Sequence, residues 1–480
     1  MQRLSGLDAS FLALETPTSH MHVAALLLVD PSTVPGGLDF GTVRKFVASR
    51  LHTAAPFRRR LVTVPFGVHH PMWVQTEVDI EQHVHRVTVN APGDQRELAS
   101  LVGDLAARQL DRRKPLWELW VIEGLAGGRM ALLAKVHHAA VDGIGANDIL
   151  VSMLQLSPDE PAPPVDDEWE PEQPPPAPVR LAAAGAALVA NPARLVSVAR
   201  RTAGAALRVR RQQQDVASDH PGVPRAGVFA APRTSFSVPI TERRAFAFRQ
   251  LPMDKARAVK RANGVTINDV VLAMCGGALR HYLAARDQLP DTPVVAMVPV
   301  SVRTDRVDPG GNRITSTVTS LGSHIEDPLE RLQTVHEAMQ SAKARLRLVG
   351  ADALRNWAEF ASPAVFAAAT RLYSRYHLAD HHRPLFNLTM SNVPGPDFRL
   401  YTAGALIEGI FPLGPIYDGA GVNISVMSYQ GVFDVGINVC PDVFEDPWEL
   451  ADAMIIELDA LHKASRKRPA ARRSRSRAAG

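Results

Sequence analysis

Apolar and polar residues alternate through two neighbouring runs, "PLWELWVIEGL" from Pro115 to Leu125 and "MALLAKVHH" from Met130 to His138. The "AGGR" between them supplies the glycines of a tight connection, so the pattern predicts a β-hairpin whose second strand ends at His138. Beyond it the period lengthens: in "GIGANDILVSMLQL" the apolar residues Ile144, Ile149, Met153 and Leu156 recur at helical spacing. Two adjacent histidines therefore stand on a strand-to-helix turn. Because neighbouring strand residues face opposite sides, one of His137 and His138 opens toward a pocket and the other supports it from behind.

The patterning stops at "SPDEPAPPVDDEWEPEQPPPAPVR", Ser157 to Arg180, whose prolines and acids predict an exposed linker. After it, Asn191 and Pro192 suit the N-cap and first position of a helix. On the wheel that follows, Leu195, Val196, Val198, Ala199, Leu207 and Val209 share one half, and Arg194, Arg200, Arg201, Arg208 and Arg211 the other. Seven arginines and no acid between Arg180 and Arg211 fit a helix lying against anionic lipid; a basic helix docked on its own domain fits the same pattern. A polar stretch, "RQQQDVASDHPGVPRAG", then leads to a second globular half near Ala231. The expected divisions are an N-terminal subdomain, 1–156, a linker with a basic helix, 157–230, a C-terminal subdomain, 231–462, and a basic tail, 463–480.

Charge alters this picture only locally. The 480 residues carry a net +4, but eight lysines and arginines lie from Lys463 onward with no acid, and without them the chain holds 45 basic against 49 acidic residues. Such a tail is a solvated segment or a contact to an anionic surface, and nucleic-acid binding is not expected as the main function. A composition of 46% hydrophobic and 21% charged residues belongs to globular domains. Two cysteines, Cys275 and Cys440, are too few and too far apart for a disulfide framework, which fits a reducing compartment. The start, "MQRLSGLDASFLALE", lacks the basic and apolar regions of a signal peptide, and no apolar run approaches the roughly 20 residues that span a bilayer. The expectation is a cytoplasmic protein, peripheral at the inner face of the plasma membrane or at lipid droplets where its basic segments engage lipid.

A histidine is neutral yet basic near pH 7, so an open imidazole can take the proton of an alcohol that attacks an acyl carbon. A zinc site needs further ligands at set spacing, and the chain has no H-E-x-x-H; His69-His70 and His381-His382 are followed by no ligand pattern. No serine sits in G-x-S-x-G, so a nucleophile elbow is missing as well. Direct acyl transfer needs neither. The plain alternative is a pair of histidines that only pack and hydrogen-bond.

The motif "HHAAVDG", with "LDASFLALETPTSHMHVAAL", "PFRRRL", "HHPMWV" and "PLWELWVIEGL" before it and "TINDVVLAMCGGALRHYL", "VPVSVR", "GNRIT", "SNVPGP" and "DGAGVNISVMSY" after it, resembles the bacterial wax ester synthase/diacylglycerol acyltransferase family. That family lies within the superfamily of CoA-dependent acyltransferases with an H-H-x-x-x-D-G motif. The resemblance spans nearly the whole chain, and the order of its segments makes it specific. It implies an α/β fold of the α+β type: two chloramphenicol-acetyltransferase-like subdomains with mixed, largely antiparallel sheets and a tunnel between them. Acyl-CoA enters one mouth and the acceptor the other.

Residue by residue, the resemblance makes His138 the general base that deprotonates the acceptor hydroxyl and returns the proton to the departing thiolate. His137 becomes a supporting residue. Asp142 is expected as a structural anchor, with direct orientation of the imidazole as the other reading, and Arg303 is its candidate ion-pair partner. Gly143 relieves crowding where the turn enters the helix. Asn268 and Asp269 shape the site from the second subdomain, the Asn268 amide donating toward an oxyanion; capping of the helix they begin is the alternative. No cofactor or metal is implied beyond acyl-CoA as substrate. The expected acceptor is diacylglycerol, giving triacylglycerol, or a long-chain alcohol, giving a wax ester. Transfer from a carrier-protein thioester, and a catalytically weak lipid-binding paralogue, are the competing readings.

Overall fold

In the computed structural model, which describes residues 1–141, 152–165, 170–189, 231–301, 314–349 and 363–467, the first half runs β1 (Gln2–Arg3), α1 (Gly6–Leu14), β2 (His22–Asp30), α2 (Phe40–Arg50), β3 (Arg59–Val62), β4 (Met72–Gln75), β5 (Val84–Thr88), α3 (Gln95–Ala106), β6 (Trp117–Glu123), β7 (Met130–His137) and α4 (Ala177–Val189). The second half runs β8 (Ala245–Pro252), α5 (Met253–Asn263), α6 (Ile267–Ala284), β9 (Val295–Ser301), β10 (Ile314–Ser320), α7 (Pro328–Val349), α8 (Pro363–Arg375), β11 (Leu388–Pro394), β12 (Tyr401–Thr402), β13 (Ala405–Leu413), β14 (Val422–Tyr429), β15 (Val432–Val439) and α9 (Pro447–Lys467). The alternating runs of the sequence form the β6–β7 hairpin, with Trp117 opposite Val136 and Ile122 opposite Ala131.

The described strands make two six-stranded sheets, ordered β12-β13-β2-β7-β6-β5 and β10-β9-β11-β14-β15-β8, and a small sheet β1-β4-β3. Among the described pairings only β5 with β6, and β11 with β9 and β14, are parallel, so the fold is mixed α/β with largely antiparallel sheets. Alternation explains the burial of β7. Ala131 and Leu133 enter one apolar core with Leu26, Val102 and Phe248, while Met130 and Leu132 enter another with Leu27, Val47 and Trp117. A sheet covered on both faces reads as a nearly continuous apolar strand.

The division of the chain at 157–230 does not divide the sheets cleanly. Strands β12 and β13 return from the second half and extend the first sheet, β13 running antiparallel to β2 with a register irregularity between Ile407 and Gly409. Phe248 of β8 meets Phe411 of β13 with ring centroids 4.7 Å apart. Gly436 of β15 lets the backbones close further: a Cβ there would lie 1.9 Å from the Pro412 carbonyl oxygen. The proline-rich segment is strapped down where it is described, since the Glu172 amide donates to the Gln75 carbonyl at 3.1 Å and the Gln75 amide to Glu172 Oε2 at 3.0 Å. The expected helix from Asn191 to Arg211 and most of the basic tail, from 468 on, lie outside the described residues. No single helix among the described residues is long and apolar enough to cross a membrane.

Candidate active site

Strand parity separates the two histidines. His137, the last residue of β7, continues the inward series of Leu133 and Lys135 and is fully buried opposite His22 of β2. His138 opens a short 3₁₀ turn, His138–Val141, and is half-buried. Backbone bonds fix the junction: the His137 amide donates to the Leu116 carbonyl at 3.0 Å and the His138 amide to the Met21 carbonyl at 2.8 Å. The His138 imidazole stacks on Phe11 of α1, with centroids 4.0 Å apart and planes 25° from parallel. Around Phe11 lie Leu4, Leu12, Leu61, Trp73 and Leu116, an apolar wall for that side of the turn.

Behind the pair lies an ionic cluster that sequence reading did not find. The Ala139 amide donates to His137 Nδ1 at 3.1 Å, which makes Nδ1 the acceptor and puts the proton of the neutral ring on Nε2. Nε2 stands 3.3 Å from Glu15 Oε2, a polar contact without ideal hydrogen-bond alignment. Arg112 Nε donates to the same oxygen at 2.8 Å. Burial disfavours the Glu15 carboxylate, but His137 and Arg112 outweigh it and hold its pKa below the usual value. Burial lowers the pKa of His137 against the pull of Glu15. That of His22 falls further, from burial and the neighbouring His137 and Lys135, and the Leu110 amide donates to its Nε2 at 3.3 Å.

Lys135 is buried on the same face. Its Nζ donates to the carbonyls of Leu105 and Arg108 at the end of α3, at 3.1 and 2.8 Å, and pairs with Glu118 at 3.1 Å. A small cavity beside it is lined by His20, His22, Arg244, Leu413, Gly414 and Asn438. Burial pushes the pKa of Arg244 down to about 10, and its Nη1 donates to the carbonyls of Thr241 and Arg243.

Asn268 and Asp269 lie in the first turn of α6. Asp269 is half of a capping box with Thr266: the Thr266 amide donates to Asp269 Oδ2 at 2.9 Å and the Asp269 amide to Thr266 Oγ1 at 3.2 Å. His336 Nδ1 lies 2.7 Å from the same carboxylate oxygen. Asp269 is thus engaged in holding α6. Asn268 meets the "SNVPGP" segment, where Asn392 Nδ2 donates to Asn268 Oδ1 at 3.4 Å. Asp142, Gly143 and Arg303 lie outside the described residues. The unanticipated partners Phe11, Glu15 and His22 all come from the amino-terminal segment whose motif is legible but whose pairing with β7 is not.

Two family models match the chain: the wax ester synthase/diacylglycerol acyltransferase catalytic domain over residues 4–271, and the C-terminal domain of that family over 310–462. A Mycobacterium tuberculosis H37Rv protein that carries the name diacylglycerol O-acyltransferase is 39% identical, covering 98% of this chain and 92% of its own. A second protein of that name from the same strain is 34% identical, covering 97% of both. Among solved structures, the wax ester synthase/diacylglycerol acyltransferase from Marinobacter aquaeolei VT8 superposes with a TM-score of 0.68 at 30% identity, over 97% of this chain and 100% of that one. The first condensation domain of the calcium-dependent antibiotic synthetase, at TM-score 0.53 and 16% identity over 97% and 96%, shares the fold.

Proposed function

The chain belongs to the wax ester synthase/diacylglycerol acyltransferase family, and from that premise we propose that it moves a long-chain acyl group from acyl-CoA to the hydroxyl of diacylglycerol, giving triacylglycerol. Long-chain alcohols are the second acceptor class, giving wax esters. The observation that carries the reading is the split of the motif pair: His137 is locked into the interior by Glu15 and Ala139, while His138 leaves the strand on the other side, its ring held against Phe11.

The His138 imidazole takes the acceptor hydroxyl proton as the oxygen attacks the thioester carbonyl. The tetrahedral intermediate collapses with breakage of the carbon–sulfur bond, and the imidazolium returns the proton to the CoA thiolate, leaving ester and free CoA. Stacking on Phe11 restricts the ring to the plane in which it works, which lowers the cost of orienting it. Asn268 receives a donor from Asn392 at its Oδ1, so its own amide nitrogen remains the donor an oxyanion calls for. The reaction draws on no cofactor beyond acyl-CoA, which is consumed as substrate. The enzyme works at the edge of a membrane or droplet, where its apolar acceptor is held, and its basic segments favour an anionic surface.

Product analysis tests the assignment. Purified protein with palmitoyl-CoA and either diacylglycerol or hexadecanol is expected to form triacylglycerol, with wax ester as the second product. Release of CoA without any ester would replace acyl transfer by thioester hydrolysis. The carrier-protein reading is disfavoured because both family models that match the chain are those of the lipid enzymes.

A further inference from the structure

The surface around the turn Pro65–Gly67 is unlike one built for water alone. Phe66 stands at its tip, 84% exposed, at a φ of 61°, a left-handed conformation in which bulky residues are rare. The turn packs against both α4 and α8. Helix α4, "APVRLAAAGAALV", has Arg180 as its single polar side chain. Even so, Val179 and Leu181 are exposed, and a Cβ added at Gly185 would meet nothing within 4 Å. A helix apolar all round is ordinarily buried. On α8, Leu372 is exposed, and Tyr376, whose amide donates to the Leu372 carbonyl at 3.0 Å, extends the same face one turn on. Leu378 continues the exposed apolar surface.

On the α8 side the charge is mostly of one sign. From Pro363 to Arg383 the chain carries Arg371, Arg375, Arg383 and three histidines against a single acid, Asp380. Exposed apolar side chains bordered by these cations complement a phospholipid surface with anionic headgroups. Its position matters too. Helix α8 packs on α1, with Thr18 and Ser374 hydroxyls 3.2 Å apart beside the contact, and α1 carries the Phe11 that stacks on His138.

We propose that Phe66, the exposed side of α4 and the carboxyl-terminal turn of α8 form one face that docks on an anionic phospholipid surface, next to the helix that covers the catalytic histidine. The inference deepens the lipid-acceptor reading and rests on it for its purpose, but docking is measured without turnover. The test is flotation of the full chain with phosphatidylcholine vesicles, with and without phosphatidylglycerol, for wild type and for Phe66→Asp, Leu181→Asp and Leu372→Asp. Because these side chains are exposed, each variant is expected to keep the wild-type melting temperature. The wild type is expected to float with the anionic vesicles and less so in added salt, and each aspartate to lower the bound fraction by on the order of tenfold. Turnover of a short alcohol in solution stays unchanged. Failure of the wild type to float, or equal flotation of all variants, overturns the proposal. So does a dimer that Phe66→Asp dissociates, which would give the face to a second copy of the chain. Flotation as expected from a protein that forms no ester would uphold docking and sink the acyltransferase reading instead.

Discussion

Replacing Glu15 by alanine tests whether the cluster behind the motif positions His138. The substitution leaves the buried Nε2–H of His137 without its carboxylate, and a buried donor stripped of its partner costs about 1–3 kcal/mol. Arg112 loses the same partner, but its side chain is 42% exposed and water replaces most of that interaction, so it adds little. The expected loss of stability is about 2 kcal/mol, a drop of a few degrees in melting temperature. Release of the His137 ring also frees its Nδ1 contact to the Ala139 amide, one residue past the base. A loosened turn misplaces the imidazole and lowers kcat by roughly tenfold, with KM for acyl-CoA little changed. His137→Ala breaks the same chain of contacts and is expected to cost about the same. The assay is steady-state turnover and thermal unfolding of both variants and of the double variant, with Glu15→Gln, which keeps an acceptor, close to wild type. If Glu15 acts through His137, the double variant is no slower than the slower single. Losses that multiply, or a Glu15→Ala protein with wild-type kcat and melting temperature, would refute the positioning role.

Acid lowers stability through the same cluster: His22 is held neutral with its pKa well below 6.5, so the unfolded chain takes up a proton that the folded chain refuses as pH falls below 6.5. Melting temperature is therefore expected to fall from pH 7 to pH 5, and an unchanged value across that range would contradict the buried placement of His22. Glu15, with its folded pKa depressed below 4.5, stabilises above that value and gives up its contribution as pH falls through the lower folded pKa; when the melting series is carried on below pH 4.5, the Glu15→Gln protein is expected to show a shallower loss than the wild type. Gly436→Ala places a methyl against the Pro412 carbonyl where two sheets meet, and is expected to destabilise by about 3 kcal/mol or more; circular dichroism melting showing no loss would remove the close approach.

Local patterns carried the hairpin and the capped helix. Trp117 to His137 pair as their alternation and the two glycines indicate; a helix start near Asn268 and Asp269 is legible too, but the residue that caps α6 is Thr266, with Asp269 answering it from the first turn. The parity of adjacent strand residues also separated the two motif histidines, His137 fully buried and His138 half-buried against Phe11. What sequence did not reveal depends on pairings between distant segments. Nothing in "ALIEGIFPL" states that β13 pairs with β2, about 380 residues earlier, because an alternating strand fits any sheet with a matching face. For the same reason Glu15 and His22 are ordinary residues of an amino-terminal segment until the β2–β7 register sets His22 opposite His137.

Proton transfer by His138 in acyl transfer is tested most directly by single-turnover chemistry with His138→Ala. Purified wild type and variant, at matched melting temperature and matched acyl-CoA binding, are mixed with palmitoyl-CoA and diacylglycerol, and triacylglycerol is followed in time. The variant is expected to be slower by roughly 10² to 10⁴ fold, the usual contribution of a positioned acid-base group. A folded His138→Ala protein that forms triacylglycerol at the wild-type rate would contradict it.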